Sequence, residues 1–194
     1  YDAIGFYNDG FQFFLNNGFN VQLETYSTAS TLKFEDPSIW HHIVVAYDST
    51  NLVETDRVKV FIDGDQLTEF SSALYPDLGE TSNGINAAGE DLYIGRSSVL
   101  SAGRLHDGQM AEAHFVDGQA LDASAFGTLD SSGRWVAQEY EGTHGTGGYH
   151  LDFADENDFG NDVAGTNDFG TVNGTPEQWL DTPTIRYANL DSDN

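Results

Sequence analysis

The sequence predicts an all-β fold, a sandwich or barrel of short strands, as one domain spanning 1–194. Three observations predict it. Apolar and polar residues alternate with a period of two along much of the chain, while helical periodicity is nearly absent. Turn signals built from Gly, Asn and Asp punctuate these runs at short intervals. The 13 Phe and 9 Tyr, within 39% hydrophobic residues, supply enough apolar surface for a core.

Taken in order, residues 11–15 and 21–26 read as strands separated by the turn signal Asn16-Asn17-Gly18. Residues 39–47 are apolar on both faces, with Trp40, Val44 and Ala46 on one and Ile43, Val45 and Tyr47 on the other. That pattern suits a central strand covered on both sides. Residues 57–62 and 66–70 flank Asp63-Gly64, a tight hairpin turn. A loop rich in Ser, Gly and Asn covers 71–90, and 92–95 and 110–116 are further strands. Asp122 is placed to cap a short helical turn over 122–126, and 149–153 alternates as a strand. The acidic part from 152 to 194 is loop-rich. Within it, Asn157-Asp158-Phe159-Gly160 and Asn167-Asp168-Phe169-Gly170 resemble one another, which reads as loop composition rather than duplication.

Charge narrows the function. Against 32 Asp and Glu stand 7 Lys and Arg, a formal net charge of −25, and 135–185 contains no Lys or Arg at all. Such a surface repels phosphate backbones and anionic lipid, so neither nucleic acid nor membrane insertion is expected. It attracts cations and stays well solvated in salt. With 0 Cys, disulfides and thiolate metal sites are excluded. No apolar run approaches the length of a membrane span, and the start at Tyr1 reads as a processed product or a piece of a longer polypeptide.

The motifs of catalysis are missing. A pair of carboxylates at alternate strand positions would put nucleophile and acid on one sugar, and no Glu-x-Asp-x-Glu-like run occurs. No Gly-x-Ser-x-Gly elbow is present either. Glu112 and His114 stand two apart, hence on one strand face, and read as a polar pair facing solvent more readily than as an acid–base pair. No His-Glu-x-x-His occurs, the six His are scattered, and zinc is not expected. His42 reads as a partly buried, hydrogen-bonded core histidine beside Trp40. Calcium has a better case: Asp152, Asp155, Asn157, Asp158, Asn161 and Asp162 cluster in the oxygen-rich loop that Ca2+ needs. The spacing from Asp155 begins like an EF-hand loop but fails, with Phe159 at its fifth position and Thr166 at its twelfth.

Several segments carry a resemblance. Trp40-His41-His42-Ile43-Val44-Val45-Ala46-Tyr47-Asp48, then Val58-Lys59-Val60-Phe61-Ile62-Asp63-Gly64, then Leu92-Tyr93-Ile94-Gly95 resemble in order the marker strands of laminin-G-like domains. A narrower resemblance rests on Phe34-Glu35-Asp36-Pro37-Ser38-Ile39-Trp40-His41-His42, on Ala111-Glu112-Ala113-His114-Phe115-Val116-Asp117-Gly118-Gln119-Ala120-Leu121, on Glu139-Tyr140-Glu141-Gly142-Thr143-His144-Gly145-Thr146-Gly147-Gly148-Tyr149, and on Leu180-Asp181-Thr182-Pro183-Thr184. These stretches are similar to laminin-G-like proteins of marine phage virions.

The resemblance implies a two-sheet antiparallel jelly-roll β-sandwich of the concanavalin A-like kind. It also implies a non-catalytic domain at the virion surface, in a tail fibre or appendage, that binds a host-surface glycan. An assembly or capsid-decoration module is the alternative, and a glycan hydrolase or lyase the weaker one. Members of that group carry a strand before the region where Tyr1 begins. A neighbouring chain that donates it would make the domain a homo-oligomer or join it to other virion subunits. No cofactor is required, and the calcium held in rim loops of such domains makes the 152–162 cluster relevant. Sugar binding on such folds uses aromatic faces beside polar groups, for which Trp135, Tyr140, Tyr149 and Trp179 are the candidates.

Overall fold

Short antiparallel strands make up nearly all the regular structure of the computed structural model. It describes residues 2–7, 10–16, 20–24, 34, 36, 38–81, 86, 92–95, 106, 108–170, 172 and 174–178. These fall into two units, 1–108 and 109–194.

In the first unit, β1 (Asp2–Tyr7), β2 (Gly10–Asn16) and β3 (Asn20–Glu24) form a meander. Its far side is closed by β7 (Ser72–Leu74), giving the order β1-β2-β3-β7. A second sheet has β4 (Ile43–Tyr47), β5 (Val58–Ile62) and β6 (Asp65–Leu67) in sequence order. Asp63 and Gly64 both have positive φ, at 51° and 88°, which is the tight hairpin that Asp-Gly specifies between β5 and β6.

The core of this unit draws on both sheets. Phe13 of β2 clusters with Val58, Val60 and Ile62 of β5, and Ile43, Val45 and Tyr47 of β4 pack around them half-buried. Full burial of a side chain the size of Val60 contributes roughly 1.5–3 kcal/mol. Phe61, on the other face of β5, is also buried. The strand covered on both faces is thus β5; among the described residues β4 pairs with β5 alone.

The segment before β4 is tied down by Asp63. One carboxylate oxygen accepts the His42 backbone N–H at 2.8 Å and the other lies 2.7 Å from His41 Nδ1. Burial lowers the pKa of His42, against the opposing pull of Asp63, so the ring favours its neutral form. That agrees with a partly buried core histidine.

The second unit is built from two strand pairs: β8 (Ala113–Phe115) with β11 (Tyr149–Leu151), and β9 (Gly127–Leu129) with β10 (Trp135–Ala137). The turn over Ala123–Ala125 is a 3-10 helix capped by the Asp122 side chain, which accepts the Ser124 N–H at 3.0 Å. Asp130 organises the β9–β10 turn. It accepts from the Ser132 hydroxyl and from the backbone of Ser132 and Arg134, and it pairs with the Arg134 guanidinium at 2.9 Å. The two similar Asn-Asp-Phe-Gly segments lie against each other, with the Phe169 N–H donating to the Gly160 carbonyl at 2.8 Å.

Two differences from the sequence reading stand out. Residues 92–95 carry no strand and expose Leu92 and Tyr93. Strands not read from the sequence form at β1, which lies before the first run read, and at β7, β9 and β10, where short runs gave little alternation to read. The turn at 17–19 and the closing segment 180–184 lie outside the described residues. Among the described residues no helix is long and apolar enough to cross a membrane.

Candidate functional site

The β8–β11 pair sets the centre of the second unit. Register places His114 opposite His150 and Phe115 opposite Tyr149. Because side chains alternate across a strand, the two histidines share one face and the two aromatics the other. On the first face the His114 and His150 rings stack with centroids 3.9 Å apart and planes 19° from parallel. On the second, Phe115 stacks on Tyr149, which meets Phe169 edge-on. Burial pushes the Tyr149 phenol up to about 12.

A third histidine arrives from the loop between β10 and β11. His144 Nε2 lies 3.0 Å from His114 Nδ1, and its ring stacks within 12° of His114 and 8° of His150. The loop is pinned by the Asp117 N–H donating to the His144 carbonyl at 2.7 Å and by the Gly147 N–H donating to the Asp117 carboxylate at 3.0 Å. Gly148 is buried where a Cβ would stand 1.8 Å from the His144 carbonyl oxygen. Tyr140 closes the cluster edge-on to both His114 and His144 and leans on Phe126. Burial lowers the pKa of His144, and repulsion from His150 adds to the effect while Asp162 opposes it.

Glu112 completes the set in a way its spacing did not foretell. It precedes β8 in a left-handed backbone conformation, φ 52°, which is uncommon for a residue with a Cβ. Its carboxylate reaches across to His150 Nε2 at 2.6 Å rather than to His114.

Asp162 builds the facing wall. Its side chain is almost fully buried and accepts backbone N–H groups from His150 at 2.9 Å, Ala164 at 3.0 Å and Asn167 at 3.0 Å. Burial alone would raise its pKa, but these donors together with the Gly165 N–H outweigh it and hold the carboxyl below the usual carboxylate range. Asn167 then spans to the other loop, donating its side-chain amide to the carbonyls of Thr146 and Gly148 at 3.0 and 2.7 Å. Between the two loops lies an open groove of about 620 Å3, bordered by Tyr140, Thr143, His144, Thr146, His150, Thr166 and Asn167 among others.

The residues nominated from sequence are distributed unevenly over this geometry. Tyr140 borders the groove. Tyr149 packs on the opposite strand face, Trp135 covers Gly127 in the β9–β10 pair, and Trp179 lies outside the described residues. Asp152, Asp155 and Asp158 each accept the N–H two residues on, from Ala154, Asn157 and Gly160. Asn161 donates its N–H to the Asp158 carbonyl. This is a chain of Asx turns, and among the described residues no three of the carboxylates bring ligand oxygens within 4.8 Å of one another.

The histidines read as scattered do the reverse. His114, His144 and His150 present ring nitrogens that all lie within 4.8 Å of one another. Their separations in sequence carry no signal of this, since strand register and the glycine-bound loop bring them together. Compared with models of known families, with curated proteins and with solved structures, the chain matches none.

Proposed function

We propose that the protein is a non-catalytic binding domain that takes a surface glycan in the groove of its 109–194 unit. The groove itself carries the proposal. Its lining combines aromatic rings, Tyr140 with His144 and His150, and polar side chains, Thr143, Thr166 and Asn167. Sugars are recognised by apolar stacking on their C–H faces and by hydrogen bonds to their hydroxyls. A neutral or cationic glycan suits the net charge of −25, which repels phosphorylated and heavily sulfated ligands. The virion setting rests on the sequence resemblance, and the non-catalytic reading on the missing pair of alternate carboxylates. A glycan array probed with multivalent protein, once with calcium and once with chelator, should give binding to a restricted glycan set in both conditions. Silence under both would refute the proposal.

A second reading, an assembly module, draws on β1. This strand of 6 residues pairs only with β2 among the described residues, and an open edge invites a strand from another chain. Light scattering separates the readings: an assembly module is oligomeric at micromolar concentration, and a monomer at all concentrations argues against it.

A further inference from the structure

We infer that His114, His144 and His150 form a site for a divalent transition-metal ion of the zinc type. Three imidazoles with no thiolate suit Zn2+, Ni2+ or Cu2+, whereas Ca2+ and Mg2+ take oxygen ligands. Tetrahedral zinc with metal–nitrogen bonds of about 2.0–2.1 Å sets its ligand atoms roughly 3.3 Å apart. His114 Nδ1 and His144 Nε2 are already 3.0 Å apart, and each of the three rings offers one nitrogen within 4.8 Å of those of the other two. Two of the ligands are held on directly paired strands, at opposed positions in the register, so their backbones are fixed before any ion arrives.

Glu112 gives the site its second layer. Metal-binding imidazoles commonly donate the ring N–H not facing the ion to a carboxylate, which orients the ring and raises its basicity. The His150 Nε2–Glu112 contact of 2.6 Å supplies that arrangement for the tautomer in which Nε2 carries the proton. The left-handed backbone of Glu112 is the local strain that aims its carboxylate. His144 and His150 also border the groove, so an ion bound there keeps a coordination position open to solvent.

One feature of the stack sets how binding proceeds. Lone pairs lie in the ring planes, and His114 and His150 face each other 3.9 Å apart at 19°. A single ion cannot lie in both planes, so capture turns at least one ring about its soft terminal torsion. Loading with metal therefore changes the environment of the histidine ring protons as well as filling the site.

The inference does not rest on the glycan reading, because the metal alone is the probe. The untagged chain, stripped with chelator, is titrated calorimetrically with Zn2+ and separately with Co2+ under visible spectroscopy. The expected result is one equivalent of Zn2+ held at least about 100-fold more tightly than Ca2+, and Co2+ bands of the intense kind given by four or five ligands including nitrogen. His144→Ala and His150→Gln should each weaken Zn2+ about 100-fold, and Glu112→Gln about 10-fold, with His106→Ala matching the parent. Circular dichroism of each variant checks the fold, and the Co2+ spectrum of the parent needs no variant at all. A pale, oxygen-only octahedral Co2+ spectrum, or Zn2+ binding that survives the loss of His144 in a folded variant, would overturn the site.

Discussion

Asp162→Ala is expected to destabilise the 109–194 unit by about 2–4 kcal/mol and to abolish ligand binding in the groove. The carboxylate is almost fully buried and accepts N–H groups from His150, Ala164 and Asn167. Leaving a buried donor without a partner costs roughly 1–3 kcal/mol. Ala164 and Asn167 are exposed residues whose N–H groups water can reach, while His150 sits in β11, so the total falls short of the simple sum. The wall at 163–167 is held by this carboxylate and by the Asn167 amide, and with it goes one side of the groove.

Acid provides an independent check on the same group. The Asp162 pKa is lowered from 3.8 in the folded chain, so its contribution is fully present above that value. It is lost as pH falls through the lower, folded value. Urea unfolding followed from neutral to strongly acid pH should show this loss in the parent and a shallower acid limb in the alanine variant. Equal limbs in the two proteins would show that Asp162 is not the acceptor described.

Gly148→Ala is expected to cost about 3 kcal/mol or more and to scatter the histidine cluster. A Cβ at this position would stand 1.8 Å from the His144 carbonyl oxygen and 2.7 Å from that of Phe115. Both obstacles are backbone, so no rotamer change relieves them, and the 142–148 loop must move off β8. Gly118→Ala is the matched control. Gly118 has φ 81° with nothing within 4 Å of the added carbon, so it carries only the left-handed penalty, about 1 kcal/mol. Thermal unfolding of the two variants measures the difference. In histidine ring NMR spectra, Gly148→Ala alone should shift the signals of His114, His144 and His150.

The strands were legible where the chain alternates over five or more residues. β4 and β5 fall inside runs read directly from the sequence, β2 extends one by a residue at each end, and the Asp63-Gly64 hairpin followed from a dipeptide that favours positive φ at both positions. The three-residue strands β7, β9 and β10 were not legible, because a run that short shows no period and is stabilised by its partner. The site was legible only at Tyr140. His150 was seen as one position of an alternating strand and His114 as half of a local pair with Glu112. What joins them is register, a tertiary property that slips unseen in a single sequence. Asp162 was noticed for its charge, as one member of an oxygen-rich loop. Its structural role comes from burial and from which N–H groups face it, and neither leaves a mark on residue spacing.

The claim that the groove binds glycan is tested most directly by mapping where an array-selected oligosaccharide sits. Amide chemical shifts of the labelled chain, followed through a titration, give that map. Glycan binding in the groove predicts shifts concentrated at Tyr140, Thr143, His144, Thr166 and Asn167, and their loss in Asn167→Ala. Saturable shifts confined to the 1–108 unit, or none at the groove, would contradict it.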